Sequence, residues 1–229
     1  MKISNSPALK LIETQHDFGI RYTTLLNRSS RFSLNIKALN RRVKMQGIDL
    51  FCGAGGMSLG ASKSGIKVKY AVELDCHAAS TFSLSHKRTH LINRDVRQVF
   101  SSDFSGLNRS EQLVLFGGPP CQGFSTSNQK TRGHGNTNNL LYLEYVRLVS
   151  TLMPDWIVFE NVKGLAETEK GYFLDSVLRD FKKLGYTTSH FILCSADFGV
   201  PQKRNRLFIV GHLHGTEMSP PKGYGKNPI

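Results

Sequence analysis

Residues 47–56 read GIDLFCGAGG, a short apolar run that opens directly into glycines. The run has the length and composition of a buried strand. In DLFCGAGGMSLG (49–60), Gly53, Gly55, Gly56 and Gly60 lie between that strand and a helix. Such a turn lets backbone approach a ligand closely at a helix N-terminus. The strand–turn–helix unit sets a rhythm that the rest of the chain keeps. VKYAVEL (68–74), HLIN (90–93), QLVLFGG (112–118), WIVFENV (156–162), TTSHFILC (187–194) and RLFIVGH (206–212) are further strand candidates, seven in all with the first. Between them lie helical patterns such as NNLLYLEYVRLVSTL and GYFLDSVLRDFKKLG, apolar near i, i+3, i+4 and i+7, with Gly185 as a stop signal. Strand and helix in alternation predict an α/β fold, doubly wound around a mostly parallel seven-stranded sheet with helices on both faces. In such sheets function gathers at the carboxyl ends of the strands.

Composition narrows the class. A chain of 229 residues with 39% hydrophobic content buries a full core. No window approaches a membrane span and no compact apolar leader opens the chain, so a cytoplasmic protein is expected. Cys52, Cys76, Cys121 and Cys194 are widely spaced, which argues against a disulfide framework or a structural zinc and leaves a reactive thiol open. No metal is expected. The formal charge of +13 points to a polyanionic partner. Residues 1–46 hold nine Lys/Arg against two acids, the most basic part per residue.

The unusual residues sit at strand ends. Glu73 closes the second strand about twenty residues after the glycine turn, where an acid commonly holds ribose hydroxyls. A nicotinamide enzyme fits the loop and Glu73 equally well. Asp95 follows the third strand as an acceptor suited to an adenine amino group. GGPPCQGFS (117–125) presents Cys121 behind two glycines and two prolines, a setting that a core cysteine does not need. Glu160 lies near the end of the fifth strand in FENV, and QKRNR (202–206) precedes the seventh. Taken singly, the glycine loop reads equally well as a tight turn, while Asp95 and Glu160 read better as structural or solvated carboxylates and QKRNR as a charged turn.

Together and in this order, they resemble the DNA (cytosine-5) methyltransferase family of the bacterial modification type. The resemblance covers roughly residues 46–221, and GGPPCQGFS followed by FENV and QKRNRLFIVG is its most specific part. It implies the sheet of S-adenosylmethionine-dependent methyltransferases, S-adenosyl-L-methionine as cofactor, and double-stranded DNA as substrate, with the target base flipped out of the helix. Carbon 5 of cytosine is a poor nucleophile, so a thiolate must first add to carbon 6. The resemblance makes Cys121 that nucleophile. It makes Glu160 the acid at ring nitrogen 3, Arg206 the contact to cytosine O2 that also orients Glu160, and Arg204 a group nearer a phosphate. For the cofactor it assigns Phe51 to stacking on adenine, Gly53, Gly55 and Gly56 to the methionine moiety, and Glu73 to the ribose. Leu74 and Asp95 then hold the adenine, while Gly118, Pro120 and Leu141 line the pocket. Residues 127–139, SNQKTRGHGNTNN, have the composition of a loop that closes over DNA.

The domain reading is a basic extension over 1–45, a catalytic domain over 46–221, and the start of a recognition region over 222–229. After QKRNR the family continues with a target-recognition domain and a last helix that returns to the cofactor pocket, and neither is found in this sequence. A catalytic subunit whose recognition domain and closing helix belong to a second polypeptide is therefore the leading expectation. An inactive remnant and an RNA cytosine-5 methyltransferase are the alternatives. Residues 1–44 read either as a DNA-contacting arm or as a leader without a role.

Overall fold

A computed structural model describes residues 43–120, 141–167, 171–215 and 217–224. The chain divides after Arg42 into two units, and the second, from Val43 on, carries everything described below. Its strands are β1 (Met45–Leu50), β2 (Lys67–Glu73), β3 (His90–Asn93), β4 (Gln112–Gly117), β5 (Trp156–Val162), β6 (Thr187–Cys194) and β7 (Asn205–His212). The helices are α1 (Gly56–Lys63), α2 (Cys76–Ser85), α3 (Leu141–Leu152), the single turn α4 (Gly164–Glu167) and α5 (Tyr172–Lys183).

The strands form one sheet in the order β3-β2-β1-β4-β5-β7-β6. Pairing from β3 through β5 is parallel. β7 then runs antiparallel between β5 and β6. The chain winds outward from β1 in one direction and from β4 in the other, so a crevice opens at their carboxyl ends, the place where such sheets bind ligands.

Strand alternation decides what faces what. Ile48 and Leu50 of β1, Leu115 of β4, Ile157 and Phe159 of β5, and Leu207 and Ile209 of β7 are fully buried in the main core. Tyr145 and Leu148 of α3 and Val177 and Phe181 of α5 fill the same core. The Tyr145 hydroxyl lies 2.9 Å from the carbonyl of Leu115 and 3.2 Å from that of Val158, so a fully buried phenol spans β4 and β5 with its polar atom satisfied. On the opposite face, Ala71 of β2 meets Cys52 and Phe82 of α2, and Val68, Val114 and Phe116 pack with Met57 and Ala61 of α1.

Among the boundaries that differ from the sequence reading, β2 is shifted back by one residue to Lys67–Glu73 and β4 ends one residue early at Gly117; those of β1 and β7 have local reasons. β1 starts at Met45, because β4 pairs with it from Gln112 onward. It stops at Leu50, because Phe51 adopts φ 62 and turns the chain out of the sheet. β7 begins one residue early, with Asn205 opposite Cys194.

Candidate active site

At the carboxyl end of β1 the chain turns through a left-handed Phe51, an uncommon conformation for a bulky residue and a frequent mark of a functional turn. The Cys52 N–H donates to the Val72 carbonyl at 3.0 Å and the Gly55 N–H to the Cys52 carbonyl at 2.9 Å, which closes the loop against β2. Gly55 holds φ 96, and a Cβ there would collide with the His86 ring at the end of α2. This position requires glycine on both counts.

Glu73 fixes the loop from the side. Its Oε2 accepts from the Gly53 N–H at 2.7 Å and its Oε1 from the Asp75 N–H at 2.8 Å. A carboxylate held by two backbone donors keeps one orientation with lone pairs to spare for a ligand. The Asn93 amide donates to the carbonyls of Glu73 (2.8 Å) and Leu74 (3.2 Å), tying the end of β2 to β3. Asp95 caps the following turn by accepting the Arg97 N–H at 2.9 Å. The Arg97 guanidinium grips both its oxygens, with Nη2 to Oδ2 at 2.6 Å. These bonds hold the Asp95 carboxyl below the usual carboxylate range.

Around these groups lies a cavity of about 470 Å³ lined by Phe51, Val72, Glu73, Leu74, Asp75, Arg94, Asp95, Val96, Arg97, Gly118, Pro120 and Leu141. Phe51, Glu73, Leu74, Asp95, Gly118, Pro120 and Leu141, separated by up to ninety residues in sequence, thus share one site. Gly53, Gly55 and Gly56 do not line it; they form the turn that carries its wall. Sequence reasoning missed Asp75, Arg94, Arg97 and the Asn93 tether. The only signal for them was their place directly after β2 and β3.

The second cluster lies at the ends of β5 and β7. Because β7 is antiparallel, its first residues reach the carboxyl end of β5, and Arg206 pairs with Val162 while Glu160 pairs with Phe208. That diagonal brings the Arg206 Nε to 3.0 Å from the Glu160 Oε1, with both side chains mostly buried. Burial pushes the Glu160 carboxyl up, against the opposing pull of Arg206 and then Arg204. Its proton therefore stays on to higher pH than on an ordinary glutamate. Arg204 itself is exposed.

Gly118 joins the two clusters. It lines the cavity, and a Cβ on it would lie 2.6 Å from the Glu160 Oε2, so a side chain would push the carboxyl aside. The Asn161 amide donates to the Pro119 carbonyl at 3.1 Å, which anchors the chain leading to Pro120 on β5. Cys121 and residues 127–139 lie outside the described residues. Among the described residues, no group of three or more His, Cys, Asp or Glu is placed to hold a metal ion, and no helix is long and apolar enough to cross a membrane.

A seven-stranded sheet in this order, with one antiparallel strand and a cavity at the ends of β1 to β4, defines an S-adenosylmethionine-dependent methyltransferase fold. The model of the C-5 cytosine-specific DNA methylase family matches residues 45–227, and the chain belongs to that family. It is 35% identical over 186 residues to the type II methyltransferase M.AquIA of Picosynechococcus, covering 76% of this chain and 75% of that protein. M.XorII of Xanthomonas oryzae is 36% identical over 177 residues, covering 75% of this chain but 41% of its own length. M1.HphI of Haemophilus parahaemolyticus is 34% identical, with 48% of its length covered. The chain thus spans about half or less of these two relatives. A crystal structure of a DNA modification methyltransferase from an E. coli prophage superposes with a TM-score of 0.63 at 32% identity, over 74% of this chain and 47% of that one. A methyltransferase of Entamoeba histolytica shares the fold, with a TM-score of 0.65 at 19% identity over 81% of this chain and 58% of that one.

S-adenosylmethionine is the cofactor that this family uses, and the cavity suits it. An aromatic wall, a doubly anchored glutamate and an aspartate further along match an adenine, a ribose and an exocyclic amine in sequence. The open glycine turn leaves room for a methionine tail at the N-terminus of α1.

Proposed function

We propose that this chain transfers a methyl group from S-adenosyl-L-methionine to carbon 5 of cytosine in double-stranded DNA. The observation that carries the reading is the Glu160–Arg206 pair, which lies across Gly118 from the cavity. A pocket alone suits many adenosyl cofactors. A largely buried carboxyl of raised pKa with an arginine clamp, one glycine away, suits a pyrimidine ring that gains electron density.

When bound, the cofactor supplies a methyl group on a positive sulfur. The protein's own residues then do the following. Cys121, as thiolate, bonds to carbon 6 of the flipped cytosine, and the displaced electron pair moves toward nitrogen 3. Glu160 meets that charge by donating a proton or hydrogen bond at nitrogen 3, and Arg206 keeps the carboxyl turned toward the ring while reaching O2. Carbon 5 takes the methyl group, its proton leaves to a base, and the bond to Cys121 breaks. Phe51, Glu73, Leu74 and Asp95 hold the adenosyl part, residues 53–56 the methionine part, and Gly118, Pro120 and Leu141 the space between. Arg204 meets a phosphate. DNA in the bacterial cytoplasm is the setting, as part of restriction and modification, and the charge of +13 serves to attract it. The test is transfer of labelled methyl to DNA, with trapping of a Cys121 adduct on DNA that carries 5-fluorocytosine. Near-wild-type transfer by Cys121→Ser would end this reading, and transfer to transfer RNA in place of DNA would favour the RNA alternative.

A second polypeptide that brings the recognition domain and a closing helix is the finer part of the proposal. One observation favours it. On β7, Leu207 and Ile209 are fully buried, whereas Phe208 and Val210 on the other face are only half-covered. On β5, Trp156 and Val158 are half-covered beside them. Inner strands of such sheets are normally covered on both faces. Co-expression with candidate partners, read by bisulfite sequencing of host DNA, tests it. Full site-specific methylation without a partner would refute it, and none with every partner would favour the remnant.

A further inference from the structure

Asp49 is a carboxyl in the middle of the sheet. It sits on β1 between Ala71 of β2 and Phe116 of β4, fully buried. Its neighbours Ile48 and Leu50 point into the main core, so alternation turns Asp49 to the opposite face, where it meets Ser58 in the first turn of α1. Oδ2 accepts from the Ser58 hydroxyl of α1 at 2.6 Å, while Oδ1 has no hydrogen-bond partner among the described residues. A buried aspartate with an unsatisfied oxygen is costly and rare, and calls for a reason.

The groups around it supply one. Glu73, which lines the cavity and holds the Gly53 N–H, acts on it from the end of β2. The buried Cys52 thiol faces it from the turn, and the Tyr145 phenol from α3 beyond the sheet. His86, at the end of α2, packs against Gly55. The strand β4 offers Phe116 and Gly117, which are neutral. Among the described residues, the charge that bears most on the Asp49 carboxyl is that of Glu73, which is negative. Burial first, and then the charge of Glu73, push it up to about 7, against the Ser58 hydrogen bonds. A positive charge brought to the turn would change that balance.

We propose that Asp49 is a positioning residue of the cofactor site, which holds the first turn of α1 through Ser58 and gives up its proton when a cationic cofactor settles on the glycine turn. The proposal rests on the assignment of S-adenosylmethionine to the cavity. In the free protein near neutral pH the carboxyl is partly protonated. The sulfonium and ammonium charges of the incoming cofactor favour the carboxylate, the O–H bond breaks, and the proton passes to solvent. S-adenosylhomocysteine lacks the sulfonium charge and drives the change less, so the same group favours substrate over product.

Calorimetry of both compounds with the full chain, in phosphate and Tris buffers from about pH 6 to about pH 8, reads the proton directly. Binding of S-adenosylmethionine should release part of a proton, most near neutrality, and S-adenosylhomocysteine less. Asp49→Asn should bind with the release lost and with an affinity ratio between the two compounds that no longer rises with pH. Ser58→Ala removes a contact that favours the carboxylate and should move the release to higher pH, which keeps the test decisive if Asp49→Asn does not fold. Release that is absent in the wild type, or unchanged in both variants, overturns the proposal. No binding of either compound by the wild type would instead overturn the cofactor assignment.

Discussion

The half of the sheet built from β3, β2 and β1 differs from the half built from β5, β7 and β6 in how its site is supported. In the first, the turn after β1 is closed by backbone bonds to β2, Glu73 is held by two N–H groups, and Asn93 ties β2 to β3. Helices α1 and α2 cover one face, and Ala71 and Phe82 beneath them are fully buried. In the second, Glu160 depends on a side chain from an antiparallel strand, and Phe208 and Val210 lie half-covered on the face turned away from α5. The Glu73 cluster is completed by local backbone geometry, whereas the Glu160 cluster is assembled from distant strands with one face only half-covered. Cofactor binding is therefore expected to be robust in the isolated chain, and catalysis to be fragile.

The sharpest way to separate the halves is Cys121→Ser, because a hydroxyl is a far weaker nucleophile at neutral pH. Methyl transfer should fall by roughly 10³-fold or more with cofactor affinity unchanged, as measured by labelled transfer and calorimetry. A parallel loss of cofactor binding would mean that the halves are not independent. Glu160→Gln comes next and should lower the rate by about 10²- to 10⁴-fold. Burial raises the Glu160 pKa, so the protonated form present at low pH persists above the usual glutamate range and is lost as pH rises through the raised value. The wild-type rate should therefore carry an alkaline limb from this group, and the glutamine variant should lack it. A limb that survives in the variant belongs to another residue.

On the cofactor side, Glu73→Ala frees the Gly53 and Asp75 N–H groups and any ribose contact together. Affinity for S-adenosylhomocysteine should drop by roughly 1 to 3 kcal/mol while DNA binding holds. Unchanged affinity, or tighter binding of NAD, would return the glycine turn to a dehydrogenase reading. The smallest effect is expected on the half-covered face. Phe208→Thr should change cofactor affinity by no more than about 0.5 kcal/mol yet reduce self-association in sedimentation experiments. Association that is indifferent to Phe208 would remove the argument for a covering partner.

All seven strands were legible from their apolar runs and punctuation, most within a residue or two, because a buried strand needs little more than its own period and a turn at each end. The glycine turn and Glu73 were legible for a similar reason: spacing along one βαβ unit fixes what can meet. Arg206 could be brought to Glu160 only by resemblance, since RLFIVGH alternates identically whether it runs parallel or antiparallel to β5. Asp49 gave no signal, as an acid beside a glycine turn looks solvated until two neighbouring strands and α1 close over it. The half-covered state of Phe208 was equally invisible in a run that reads as a buried strand.

The sequence by itself therefore determined the elements, the rhythm of the sheet and the chemistry available at each strand end, all of which depend on residues within a few positions of one another. Tertiary structure decided the antiparallel insertion of β7, the meeting of Glu160 with Arg206 and Gly118, and the burial of Asp49. Those depend on which strands pair and in what register, and the free energy that selects a pairing is shared by the whole core rather than written in any one segment.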